Sequence, residues 1–343
     1  MPSLVKIGVI GLGRMGQLYT RLLATQVSGV HLDAVAEVGV QSRSQIMSEL
    51  DVAHAFADAY ELLALPELDA VVIATPTSTH YDLVIAAAKA GKAIFCEKPL
   101  ALTLEETRSM LQAVASAQVP LQVGFMRRFD AAYQRAKTLI TDGQIGHPVT
   151  FKSLSRDPFC PPGEYMDPAK SGGLILDMAI HDFDLARWLV GSEVERVTTE
   201  GTVLVCNELA AVGDIDNALV NMRFVNGALG NIEASRNAFY GYDIRTEVLG
   251  SEGAVMIGAH QHTPVLLLNR AGAHHDVMPY LMERFGDAYR AQLQHFVDCL
   301  HNGQSPAVGG AEAFAACKIG IAATRSYQAG RPVTLSELET SSL

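Results

Sequence analysis

Asp177 and His181 stand four residues apart in the run Gly172-Gly173-Leu174-Ile175-Leu176-Asp177-Met178-Ala179-Ile180-His181-Asp182-Phe183-Asp184. On a helix that spacing puts a carboxylate and an imidazole on one face, and Asp184 continues it. Histidine titrates near neutral pH and can act as a general base, with the carboxylate orienting it and stabilising the imidazolium. Gly172 and Gly173 would let a ligand come close to the backbone. An isolated pair of this kind is more often a surface acid and a structural histidine. Lys98, in Cys96-Glu97-Lys98-Pro99, adds a third group. It ends an apolar strand, where its charge can stabilise a developing alkoxide. A base beside a cation is what hydride removal from an alcohol carbon requires, because the hydroxyl proton leaves at nearly the same time. The Lys98–Pro99 bond is a candidate for the cis form, which would aim the lysine inward.

The hydride needs an acceptor. Gly11, Gly13 and Gly16 form a G-x-G-x-x-G that follows one strand and opens a helix. Gly11 suits the tight turn, Gly13 the approach of a pyrophosphate, and Gly16 close helix–strand packing. The helix N-terminus favours phosphate, so Arg14 and Met15 join the glycines as cofactor contacts. Glu37, 21 residues after Gly16, would hold ribose hydroxyls and repel a 2′-phosphate, which favours NAD over NADP. Arg43 lies near enough to soften that preference. Thr75, Pro76 and His80 follow the third expected strand at a sheet edge where such folds bind ligands. Glu97 and Lys98 occupy the next edge.

These residues imply a positioning frame. Expected strands are Lys6–Ile10, Leu32–Ala36, Ala70–Ala74, Ala93–Cys96 and Leu121–Phe125, with amphipathic helices between them. That alternation reads as an α/β, doubly wound parallel Rossmann sheet over residues 1–125. Thr103-Leu104-Glu105-Glu106 is a capping box, opening a helix to about Gln118. From 126 to 343 a second α/β domain is expected, serving substrate binding and oligomerisation. Its alternating runs, such as Ile244–Val248, suit an open, mostly antiparallel sheet. Helices are expected at about Asp130–Asp142, Leu174–Val190 and Ala311–Ala329, and a loose tail at Glu339–Leu343.

Composition bounds the function. The chain has 343 residues, 49% apolar and 18% charged, with a net charge of -11. That is globular, and poorly suited to nucleic acid, which needs clustered Lys and Arg. No apolar run is long enough to span a membrane. Five scattered cysteines argue against a disulfide framework. With no signal-peptide pattern, they suggest a reducing, cytoplasmic setting. His260, His262, His274 and His275 read as solvated loop residues, so no metal is expected.

The whole pattern resembles the glucose–fructose oxidoreductase/inositol dehydrogenase (Gfo/Idh/MocA) family, most closely its inositol 2-dehydrogenases. The resemblance rests on Gly11–Gly16, Glu97-Lys98-Pro99, Gly124–Asp130, Ser155–Pro158, Gly172–Asp184, Tyr240–Asp243 and Glu283–Arg290. It implies that Lys98, Asp177 and His181 are catalytic and that Arg128, Asp157 and Tyr240 line a polyol pocket, with Arg127, Arg156 and Tyr242 as competing neighbours. It also implies NAD-dependent oxidation of myo-inositol to 2-keto-myo-inositol, by a homotetramer built on the open sheet. Scyllo-inositol or a pyranose such as glucose are alternative substrates. A tightly held, recycled cofactor and a non-catalytic NAD-binding sensor are rival readings. Glu37 departs from the aspartate of many relatives.

Overall fold

The computed structural model of the chain describes residues 4–258 and 261–340. The chain divides into two compact units. The first comprises residues up to Met126 together with Asp287–Phe314; the second comprises Arg127–Gly286 and residues from Ala315 onward. The segment 287–314, expected in the second domain, thus packs with the first. Its contacts include Gln292 Nε2, which donates to Tyr19 Oη at 2.9 Å, and Gln122 Nε2, which donates to the Gln292 carbonyl at 2.8 Å.

In the first unit, β1 (Val5–Ile10), β2 (Val30–Ala36), β3 (His54–Phe56), β4 (Ala70–Ile73), β5 (Ala93–Cys96) and β6 (Leu121–Val123) form one sheet. The order is β3-β2-β1-β4-β5-β6, with every pairing parallel. This is the expected doubly wound sheet, with a short edge strand, β3, that the sequence pattern did not reveal. Strands buried on both faces need continuous apolar runs, and β4 and β5 are buried at every position. Thr103 caps the helix Leu104–Ala117 by accepting from the Glu106 amide at 3.1 Å.

The second unit is built on a seven-stranded mixed sheet. Its strands are β7 (Pro148–Arg156), β8 (Val194–Thr202), β9 (Asn217–Phe224), β10 (Leu229–Ser235), β11 (Asp243–Gly250) and β12 (Ala254–Ile257), in the order β12-β11-β7-β10-β9-β8. A separate hairpin of β13 (Gln261–Asn269) and β14 (Gly272–Val277) follows, and β15 (Val333–Thr334) completes the large sheet beside β8. β7 and β10 run parallel; the other pairings in this sheet are antiparallel. β9 alternates strictly between buried and exposed positions, as its sequence does apart from Leu219, which faces out. His262, His274 and His275 lie on the exposed hairpin strands and not in loops; His260 lies outside the described residues, as do 341–343 of the expected tail. Glu337–Thr340 of that region is helical.

Two expectations need correction. Cys160 and Cys206 form a disulfide, while Cys96, Cys299 and Cys317 are free and buried. The spacing of 46 residues carried no local signal for that pair. The helix expected over Leu174–Val190 is two pieces. Leu174–Met178 is a π turn and Ile180–Val190 is α-helical. Asp177 and His181 therefore do not share a single α-helical face; an inserted wide turn separates them, a feature common at functional sites.

Charge fixes the helix Ile180–Val190. Arg128 donates to Asp184 through Nε at 2.7 Å and Nη2 at 2.6 Å, and its guanidinium lies 5.0 Å from the Trp188 ring. Asp184 is 1% exposed. Removing one member of such a pair strands a buried charge. Asp184→Ala should therefore destabilise the second unit by about 3–5 kcal/mol. The chain's single tryptophan, Trp188, reports on it: the urea midpoint of its fluorescence transition should fall well below wild type, and an unchanged midpoint would refute the assignment.

Candidate functional site

The first unit supplies a dinucleotide cradle at the C-terminal ends of its strands. Gly11 follows β1 with φ +89°, and a Cβ there would meet the Ala74 carbonyl oxygen at 2.8 Å. A Cβ on Gly16 would sit 1.8 Å from the Gly11 carbonyl oxygen, so the helix Arg14–Thr25 reaches the turn only because position 16 is glycine. A Cβ on Gly13 would meet no atom within 4 Å. That open side, at the start of a twelve-residue helix, is where a phosphate can approach the backbone. Gly13 and Arg14 are exposed and Met15 is half-buried. Glu37, just past β2, accepts from the Leu12 amide at 2.6 Å and the Gly39 amide at 2.8 Å. Its carboxylate is thus fixed against the glycine turn. Arg43 donates to the Glu37 carbonyl and not to its carboxylate. The donors and the open side of the turn fit an NAD-type cofactor.

The neighbouring strand ends organise the rest of this edge. Thr75 and Pro76 follow β4 and are accessible, whereas His80 is 1% exposed. Its Nδ1 faces the Pro99 carbonyl at 3.0 Å and its Nε2 the Thr75 carbonyl at 3.0 Å. Burial lowers its pKa. His80 is therefore a tie between two loops, with its ring turned inward. Glu97 is also turned inward: it accepts from the Tyr19 hydroxyl and from the Lys98 amide at 3.1 Å. Burial, and then the Glu97 charge, push the Tyr19 hydroxyl pKa up. Lys98 is half-buried and its bond to Pro99 is cis.

The second unit gathers polar groups at one end of its sheet. The register pairs Ser235 with Arg156 across β10 and β7, and Asp243 with Arg156 across β11 and β7. The residues just beyond therefore lie together. The Asp157 amide donates to the Ser235 carbonyl at 2.8 Å. The Tyr242 hydroxyl pKa is raised by burial and by the nearby Asp157 charge. Arg156 donates to Tyr240 Oη at 2.8 Å, and Tyr240 donates to Asp243 at 2.7 Å. Tyr240 keeps 48% of its surface.

Asp177, in the π turn, has a side chain 23% exposed and lies 3.8 Å from Arg236. His181 is 8% exposed, in the first turn of the helix Ile180–Val190. Its neighbour Asp182 is wholly buried and accepts from Arg127 at 2.8 Å and from Ser155 of β7 at 2.8 Å. Burial opposes the Arg127 charge, but the facing Asp182 outweighs it and holds the guanidinium above the ordinary arginine pKa. Arg128, expected in the pocket, is committed to Asp184 instead.

Gly173 has φ +68°, and a Cβ there would lie 2.5 Å from Asp214 Oδ1. The close approach expected at Gly172-Gly173 is therefore made, at Gly173, by a side chain of the same unit. Sequence reasoning missed Asp214 and Arg236, which no spacing rule connects to Asp177. Among the described residues, Asp33, His54 and Glu67 of the first unit also bring ligating atoms within 4.8 Å of one another. Lys6 Nζ, 3.9 Å from Asp33, already places a cation beside that carboxylate.

Residues 5–125 match the oxidoreductase family, NAD-binding Rossmann fold, and residues 137–335 match the oxidoreductase family, C-terminal alpha/beta domain. The chain is 43% identical to scyllo-inositol 2-dehydrogenase (NAD(+)) of Bacillus subtilis, covering 98% of this chain and 97% of the relative. It is 41% identical to myo-inositol 2-dehydrogenase of Thermotoga maritima, covering 97% and 99%. The crystal structure of Lactobacillus casei scyllo-inositol dehydrogenase with bound NAD(H) and scyllo-inositol matches with a TM-score of 0.92 at 30% identity, covering 97% of this chain and all of that one. With both of its halves accounted for, the chain belongs to the Gfo/Idh/MocA family of NAD-binding oxidoreductases.

Proposed function

We propose that this oxidoreductase uses NAD to oxidise one ring hydroxyl of myo-inositol, giving 2-keto-myo-inositol. The observation that carries the reading is the end-to-end similarity to relatives named as inositol 2-dehydrogenases. Scyllo-inositol is the second reading, favoured by the 43% identity to the Bacillus enzyme. The two substrates are epimers at the reacting carbon and give the same ketone, so the distinction lies in how the ring is seated.

NAD, when bound, accepts the hydride. His181 takes the hydroxyl proton, Asp177 orients it, and Lys98 stabilises the developing alkoxide. Asp157 and Tyr240 hold ring hydroxyls. Arg128 acts on this pocket through the helix that it anchors. Gly11, Gly13, Arg14 and Met15 receive the pyrophosphate, Glu37 the adenosine ribose, and Thr75 and Pro76 the nicotinamide side. His80 and Glu97 serve the cofactor by holding the loops beneath it. NADH formation across a panel of inositols and monosaccharides tests the reading. Turnover of myo- or scyllo-inositol should exceed that of glucose, and His181→Ala should lower kcat by about 10²–10⁴-fold. A preference for glucose, or near-normal turnover by the variant, would refute it.

The Glu37 carboxylate beside the glycine turn disfavours a 2′-phosphate. The kcat/KM for NAD should exceed that for NADP by roughly ten- to hundred-fold, the scale of a charged hydrogen bond lost and a repulsion gained. Equal values would contradict it.

A homotetramer is supported by the large sheet, whose accessible face carries Leu219, Leu229, Leu249 and Met256. Exposed apolar side chains on one face of an open sheet are the kind of surface that a second copy of the chain can cover. Sedimentation equilibrium should give four times the chain mass of 36.8 kDa; a monomer mass would exclude the assembly. No helix among the described residues is long and apolar enough to cross a membrane. A cytoplasmic location suits an enzyme that draws on an NAD pool, although the Cys160–Cys206 bridge is not the usual state of cysteines there.

A further inference from the structure

Arg236 follows β10 and its side chain is 3% exposed. It donates from Nη1 to Asp214 Oδ2 at 2.8 Å, while its Nη2 stands 3.8 Å from Asp177 Oδ2. Asp214 is itself buried, and its Oδ1 accepts from the Leu174 amide at 3.1 Å. Leu174 opens the π turn that carries Asp177. One guanidinium thus holds both the entrance of that turn and its carboxylate. The arginine has little freedom. Its amide donates to the Asp216 carbonyl at 2.9 Å, and its carbonyl faces the Cys206 sulfur at 3.6 Å. Asp216 in turn accepts the Leu204, Val205 and Cys206 amides.

We propose that Arg236, anchored by Asp214, is a positioning residue that sets the place of the Asp177 carboxylate for proton transfer. This rests on the reading of Asp177 as a member of the catalytic set. A π turn closes i→i+5 hydrogen bonds in place of the i→i+4 bonds of an α-helix, and its backbone does not by itself fix where the Asp177 side chain points. The ion pair supplies that constraint. Misplacement of such a group by about 1 Å can cost about 100-fold in rate.

Arg236→Gln should lower kcat by about ten- to hundred-fold, with KM for inositol and NAD binding nearly unchanged. Arg236→Lys, which keeps a cation, should recover part of kcat. The decisive measurement is a double-mutant cycle. In an Asp177→Ala background, Arg236→Gln should add little further loss, because the arginine acts through that aspartate. If the losses multiply instead, the proposal is overturned. Full turnover by Asp177→Ala alone would overturn the catalytic reading itself, which separates the two failures. Arg236→Gln leaves Asp214 buried without its cation and can unfold the unit. The Arg236→Gln/Asp214→Asn pair removes both charges and keeps an amide oxygen for Leu174. Wild-type kcat in that folded variant would also overturn the proposal.

Discussion

A buried histidine is useful in proton transfer only if the helix carrying it cannot rotate, and here buried charge prevents rotation. Arg127 and Arg128 are adjacent in sequence. They grip Asp182 and Asp184, two residues apart on the helix Ile180–Val190. Residues so spaced point to nearly opposite sides of a helix. One pair ties the helix to Ser155 on β7, and the other is packed on Trp188. Turning the helix would break at least one buried pair, at a cost of several kcal/mol. His181, next to the first of these carboxylates, inherits that rigidity.

The pairs are better understood as geometry than as added stability. Taking a guanidinium and a carboxylate out of water costs nearly as much as their attraction returns, and apolar residues of the same size would hold the sheet and helix together as well. Hydrophobic contacts slide, whereas the bidentate Arg128–Asp184 pair has one register, and Arg127 and Ser155 together fix Asp182. The first unit achieves the same end with backbone. Gly11 and Gly16 let a helix close on a turn, Glu37 ties that turn to its own loop through the Leu12 and Gly39 amides, and His80 ties the loops after β4 and β5.

This difference explains what could be read from the sequence. A glycine turn and its acid belong to one contiguous strand–helix–strand run, so the cofactor cradle was legible, as were the parallel sheet and the alternation of β9. Lys98, Asp177 and His181 could be proposed as a set because each sits in a distinctive short run. Their surroundings could not be read in this way. Arg236 reaches Asp177, and Asp214 reaches Arg236 and the Leu174 amide, only after β9 and β10 have been placed side by side. The π turn shares its apolar composition with an α-helix, so periodicity alone extended the helix through it. Gly173 signalled a close approach without saying what approaches, and His80 looked like a ligand contact because a sheet edge does not reveal which way a ring turns. The return of Asp287–Phe314 to the first unit was equally invisible, since amphipathic spacing shows that a helix packs and not where.

The unequal reach of Arg236 bears on how a positioning group can serve chemistry without hindering it. A tight bidentate bond to Asp177 would satisfy the carboxylate and leave it little capacity for another partner. The short contact goes instead to Asp214, which is 6% exposed at its side chain, and the long one to Asp177, which is 23% exposed. At 3.8 Å the second contact is beyond hydrogen-bond distance but still an ion pair. Coulombic attraction falls only slowly over that range, whereas hydrogen-bond geometry is lost. The arrangement therefore restrains the place of the Asp177 carboxylate without closing a short arginine bond on it.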